Sequence, residues 1–144
     1  MIDRFEQPTC LEYTVTAGPT TQRFLEGVLE GKLMGRRCGG CDKVYVPPRG
    51  ACPTCAVPLG EEVEVSQEGV VTTFAIVAFP FEGQILEPPY ACAHVLLDGA
   101  DVPVLHIVGG CPVEAVRMGL RVRAVWDDEL RPTLGRVLYF EPVP

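Results

Sequence analysis

The stretch from Cys38 to Cys55 constrains this chain more than any other: Cys38-Gly39-Gly40-Cys41, then ten residues, then Cys52-Pro53-Thr54-Cys55. Two cysteine pairs, each with two residues between, let two tight turns aim four sulfurs at one tetrahedral ion, with metal–sulfur distances of about 2.3 Å. That is the pattern of a zinc ribbon. The intervening segment, Asp42 to Ala51, is short for such a site but long enough for a strand out, a Pro47-Pro48 turn and a return. Gly39 and Gly40 are expected to supply the left-handed backbone of the first knuckle, and Pro53 to fix one dihedral of the second. Four thiolates fill a tetrahedral sphere and leave no place for water or substrate, so the ion is expected to be structural. An iron centre would use the same ligands. Two disulfides are the other alternative, but they suit a secreted chain. The start Met1-Ile2-Asp3-Arg4-Phe5-Glu6 lacks the basic-then-apolar order of a signal peptide, which favours a reducing cytoplasm.

At 144 residues the chain has room for one small barrel beside a metal-stapled minidomain. Its residues are 47% hydrophobic and 22% charged, enough apolar material for a packed core. No apolar run approaches the roughly 20 residues that span a bilayer, so no membrane association is expected. The formal charge is −7, and four bound thiolates with one divalent ion add a further −2, a balance that repels nucleic acid. Cys10, Cys92 and Cys111 remain. None adjoins a basic residue or histidine that would lower its pKa, and they read as small buried hydrophobes.

Taken in order, residues 1–18 form an arm, residues 19–60 a helix and the ribbon, and residues 61–144 a barrel. Pro19-Thr20-Thr21 opens a helix with a threonine as N-cap, Phe24, Leu25, Val28 and Leu29 make one apolar stripe, and Gly31 stops it. Leu33 to Arg37 and Val44 to Val46 are the ribbon strands, and Glu61 to Val65 a linker becoming strand. Val70–Ala78, Ala91–Leu97, Val102–Val108, Leu120–Trp126 and Gly135–Glu141 read as five barrel strands, with a hairpin turn at Asp98 to Asp101. Pro112 to Met118 is a short helix between the third and fourth, the order of an OB-fold barrel. The expected class is therefore mainly β: an N-terminal helix, a rubredoxin-like zinc ribbon and a five-stranded OB-fold barrel.

The segment Phe79 to Tyr90 does not suit a quiet barrel loop. Phe79, Phe81, Ile85, Leu86 and Tyr90 are too apolar for solvent, so the segment is either a barrel lid or a contact surface for another protein. Phe24 and Val28 of the helix join them as candidate partner contacts. Arg36, Arg37, Lys43 and Arg49 make a basic spot around the ribbon, either solvated charge or an anchor for phosphates. His94 and His106 lie in successive strands where they could face one another, a poor metal site without a third ligand. There is no Gly-x-Ser-x-Gly elbow, dinucleotide fingerprint or His-Glu-x-x-His helix, and no catalytic residue is assigned.

The run Phe24-Leu25-Glu26-Gly27-Val28-Leu29-Glu30-Gly31-Lys32-Leu33 combines with the four ribbon cysteines, Pro47-Pro48-Arg49, Gly69-Val70-Val71-Thr72-Thr73-Phe74, Pro89-Tyr90 and Met118-Gly119-Leu120-Arg121-Val122. Together they resemble the zinc-ribbon plus OB-fold family catalogued as a domain of unknown function, over about residues 20–142. The resemblance implies an accessory subunit, without a nucleophile of its own, for a thiolase-superfamily enzyme acting on acyl-CoA. Thiolases and steroid side-chain aldolases are such companions, and some family members accompany MaoC-type hydratases. It implies a hetero-oligomer, such as a heterotetramer, in which the small subunit completes or shields the CoA and acyl tunnel, with Arg36, Arg37, Lys43 or Arg49 near the phosphates. A single-stranded nucleic-acid module on the same fold is the main rival, and an independent enzyme using Cys92 or Cys111 a third.

Overall fold

In the computed structural model, residues 3–4, 14–82, 84 and 86–144 are described. Helix α1 spans Pro19–Leu29. Its N-cap is Gly18, not a threonine: Pro19 occupies the first helical position, where its missing N–H costs nothing, and Gln22 N–H donates to Gly18 O at 2.9 Å. The helix stops as expected at Gly31, whose φ of +74° is left-handed. Lys32 N–H reaches back to Gly27 O and Gly31 N–H to Val28 O, which satisfies the last free carbonyls.

Three short strands form the ribbon sheet: β1 (Leu33–Arg37), β2 (Val44–Tyr45) and β3 (Glu62–Val65), in the order β2-β1-β3. The segment expected to lead into the barrel is thus the third ribbon strand, paired from Leu33↔Val65 to Arg36↔Glu62. It lies beyond the division expected at residue 60. Glu62 lends its carboxylate to Arg23 of α1 at 3.1 Å and Arg36 of β1 at 3.2 Å, which hold it below the ordinary carboxylate range. A polar bracket therefore backs the sheet's apolar face.

The barrel consists of β4 (Glu68–Val77), β5 (Tyr90–Leu97), β6 (Val104–Val108), β7 (Arg121–Trp126) and β8 (Val137–Pro142). It closes in the order β4-β5-β6-β8-β7, with β6 and β8 parallel at Val108↔Phe140. A 3₁₀ turn at Val113–Ala115 lies between the third and fourth barrel strands, the OB-fold arrangement. Two strands start later than their apolar runs suggest. Pro103 cannot donate to the ladder, so β6 begins at Val104, while a 3₁₀ turn at Leu134–Arg136 delays β8 to Val137. At the barrel's base Arg121 meets Asp98 at 2.7 Å and Glu68 at 3.0 Å, pinning the β5–β6 turn to β4 and β7.

Helix, ribbon and barrel share one core. Val28 is fully buried, and Phe24, Leu33, Val44 and Val46 join Val71, Val95, Val122 and Phe140 in a continuous cluster. Phe24 and Val28, expected among the partner contacts, are therefore covered by their own chain. An eleven-residue helix gains too little from its own hydrogen bonds to stand alone and spends its apolar stripe here. From the barrel side Arg136 donates to the carbonyls of Val28 and Leu29 at the helix end, with its guanidinium 5.4 Å from the centre of the Trp126 ring. Among the described residues no helix is long and apolar enough to cross a membrane.

The ribbon is also tied to the barrel through backbone. Asp101, in the β5–β6 turn, donates its N–H to Val44 O at 2.9 Å, and its carboxylate accepts from Val44 N–H at 2.8 Å. One residue thereby completes both polar groups on the free edge of β2. Asp101→Ala should cost about 1–2 kcal/mol in urea unfolding because it orphans a part-buried N–H, whereas Asp101→Asn, which keeps an acceptor, should recover most of it. Equal stability of all three proteins would show that the tie contributes nothing.

Candidate metal centre and docking face

Cys38 follows directly after β1 and Cys41 ends the turn into β2, while Cys52 and Cys55 sit on the returning loop. The four sulfurs all lie within 4.8 Å of one another, and Cys41 and Cys52 are 3.7 Å apart. A tetrahedron with arms of about 2.3 Å has edges of about 3.8 Å, so the cluster fits a zinc ion at its centre. All six described cysteines are free, which removes the disulfide alternative. Cys38 and Cys52 are buried, and Cys41 and Cys55 half-buried.

The backbone turns toward the sulfurs in both knuckles. Gly40 N–H donates to Cys38 Sγ at 3.3 Å and Cys55 N–H to Cys52 Sγ at 3.4 Å, donors that stabilise thiolate. The left-handed residues are not Gly39 and Gly40. They are Asp42, with φ of +60°, and Ala56, with φ of +55°, each directly after the second cysteine of its pair. There the chain turns back so that Asp42 N–H bonds Cys38 O and Ala56 N–H bonds Cys52 O, both at 2.9 Å. Asp tolerates this conformation through its short polar side chain, but alanine carries no such signal, and nothing in the sequence marks Ala56.

Tyr45 also went unmarked as a site residue. Its buried hydroxyl lies 3.3 Å from Cys52 Sγ. Chiefly through this contact the Cys52 thiol is pulled down to about 6, while Cys55, against Cys41, is pushed up to about 12. Four adjacent thiols cannot all ionise unaided; a divalent ion supplies the missing positive charge. Tyr45, Leu59 and Val102 of the barrel side close over the sulfurs and exclude water.

The basic residues divide. Arg36 is held by Glu62, and Arg37 by Asp42 O at 3.3 Å and Glu61 at 3.7 Å. Lys43 and Arg49 are exposed, and among the described residues neither meets a carboxylate at ion-pair distance. Arg49 borders a cleft of about 320 Å³ between the Pro47-Pro48 turn and β6, walled also by Tyr45, Val102, Pro103 and Leu134.

The described residues of the β4–β5 connection leave its phenylalanines in solvent instead of under a barrel lid. Phe79 is 81% exposed and Phe81 61%, Leu86 is exposed and Tyr90 half-buried; Ile85 lies outside the described residues. The outer face of β4, β5 and β6 continues this apolar character through Ala75, Cys92 and Ile107, which lie in register, and through the neighbouring Leu105. His94 pairs with Leu105 and His106 with Ala93, so the two histidines point to opposite sides of the sheet and form no site. His106 instead stacks edge-on against Phe140, accepts at Nδ1 from Ile107 N–H, and is shifted below 6.5 by burial. No Lys or Arg lies in β5 or β6, and those strands offer no charged track for a nucleic-acid backbone.

Comparison with known proteins agrees with this geometry. Residues 25–58 match the family described as ChsH2, rubredoxin-like zinc ribbon domain, and residues 62–127 match ChsH2, C-terminal OB-fold domain. A DUF35 domain-containing scaffold protein of Methanocaldococcus jannaschii is 34% identical over 95 residues, 65% of this chain and 67% of that one. The chain belongs to the DUF35 family. Two solved structures share its fold at 22% identity. One is a DUF35-family protein of Sulfolobus solfataricus, with a TM-score of 0.66 over 88% of this chain and 87% of that one. The other is the Ltp2-ChsH2(DUF35) aldolase, with a TM-score of 0.67 over 90% and 98%. The expected zinc ribbon and OB-fold are both present, joined in one chain.

Tyr45→Phe should leave one bound zinc per chain but lower its affinity about tenfold in competition with a chromophoric chelator, since partners beyond the ligands typically contribute this much. Unchanged affinity would reduce Tyr45 to packing. The half-buried imidazole of His106 resists protonation, so an unfolded chain takes up that proton first. Stability should therefore be full above pH 6.5 and fall as the pH drops below it. His106→Phe should flatten this acid limb in pH-dependent urea titrations; an unaltered slope would place the proton uptake elsewhere.

Proposed function

We propose that this chain is a non-catalytic accessory subunit which docks on a thiolase-superfamily enzyme and helps to enclose its CoA and acyl tunnel. The observation that carries this reading is the hairpin: Phe79 and Phe81 are held 81% and 61% exposed on a rigid barrel, although the chain is otherwise acidic and has ample core to bury them. Two phenylalanines exposed close together, beside further apolar side chains, are the kind of patch that marks a contact site. Likeness to a protein described as a scaffold, and in fold to the ChsH2 component of an aldolase, supports a role beside an enzyme. The closed four-sulfur site supports it as well, because an ion with no open position holds shape and leaves the chemistry to the companion.

The docking surface in this reading is Phe79, Phe81, Leu86 and Tyr90. Of the four basic residues considered, Lys43 and Arg49 are the phosphate contacts, since Arg36 and Arg37 are already occupied within the chain. A CoA phosphate beside Arg49 would leave the cleft along Pro48 and Pro103 for the apolar part of the ligand.

Coexpressed with a thiolase-like enzyme from the same genome, the tagged chain should copurify with it, and Phe81→Asp should weaken the pairing at least tenfold by calorimetry. Lys43→Glu with Arg49→Glu should leave assembly intact and raise the dissociation constant of acyl-CoA for the complex. A Phe81→Asp chain that binds the enzyme as tightly as the native one would remove the hairpin from the interface.

A further inference from the structure

The barrel is closed at its base but open along one strand. Strand β4 pairs with β7 only from Glu68 to Val70, and the last bonds across that seam join Val71 to Gly119 and Leu120. Its opposite edge stays paired with β5 as far as Val77↔Tyr90, past a bulge at Thr72. From Thr73 to Val77, therefore, β4 is laddered on one side and, among the described residues, presents bare N–H and C=O groups on the other. Natural sheets protect such an edge with lysine, proline or inward charge. Here no ionisable side chain occurs from Gly69 to Phe81, and the first proline is Pro80.

We infer that this edge is where a second copy of the chain adds, strand to strand, about a two-fold axis through Ala75. The charge distribution confines a second copy to this strip. Two chains of formal charge −7 repel over most of their surfaces, and the neutral strip along β4 is a place where they meet without opposing like charges. The strip is also self-complementary. An antiparallel pairing of Ala75 with its counterpart sets Thr73 against Val77 and Phe74 against Ile76 of the other copy, keeping outward residues with outward and inward with inward. Ile76 faces the barrel side yet remains 45% exposed because β4 runs beyond the barrel mouth, and the paired Phe74 gives it cover. Each of these off-axis pairs occurs twice, as an isologous interface requires. Phe79, Phe81 and Leu86, farther along the chain, stay outside this contact, so the pairing stands independently of the companion-enzyme reading.

Sedimentation velocity and light scattering of the zinc-loaded full chain over a range of micromolar concentrations test this. The expected result is a species of twice the chain mass. Thr73→Lys and Ala75→Lys place charge on exposed, outward positions of the edge and should halve that mass, with zinc content and thermal transition preserved as the control for folding. Phe81→Asp should leave the dimer intact. A native chain that stays monomeric throughout, or lysine variants that dimerise like the native chain, would overturn the inference. So would a monomeric native chain whose lysine variants lose a companion enzyme, since the edge would then belong to that enzyme.

Discussion

Convergence of four thiolates on one point is the constraint on which the rest of the molecule depends. The strand β2 is two residues long and β1 five, too little ladder for a sheet to hold itself together. A tetrahedral ion fixes the two knuckles relative to each other, and only then does the ribbon present Leu33, Val44 and Val46 as one apolar face. That face receives α1 and merges with the barrel core. Backbone N–H groups and the Tyr45 hydroxyl aimed at the sulfurs spread the site's surplus negative charge over neutral donors, so no cation from the protein is needed beside it.

Metal, helix and barrel are bound into one body by contacts that cross between them. Asp101 completes the free edge of β2, Val102 packs over the sulfurs, and Arg136 reaches from the barrel to the carbonyl end of α1. Trp126 and Gln67 extend the same join, with the indole N–H bonded to Gln67 and that amide donating to Gly31 O. A rigid frame of this kind can hold the β4–β5 hairpin away from the core without letting it collapse.

Surface chemistry follows the same division. Charged residues of both signs surround the ribbon, whereas β4 beyond Glu68, β5 and β6 carry neutral and apolar side chains on their outward face. Such a surface leaves an acidic protein few places to touch another macromolecule, and they coincide with the hairpin and the open edge beside it. Charge here restricts where contact can occur, and apolar area supplies the attraction.

Cysteine spacing by itself determined the metal site, because the chemistry of a thiolate tetrahedron is local and admits few other arrangements. Alternation and turn residues determined five barrel strands and a helix ending at Gly31 for the same reason: period and backbone conformation are properties of neighbours in the chain. Tertiary structure alone decided that Glu62 to Val65 belongs to the ribbon, that Phe24 and Val28 are spent on the protein's own core, and that His94 and His106 face apart. It also decided that Arg36 answers to Glu62 and that Tyr45 reaches Cys52. Each of these depends on a strand register or on a pairing between distant segments. A shift of one residue reverses which side of a sheet a side chain occupies, and no local pattern encodes that choice.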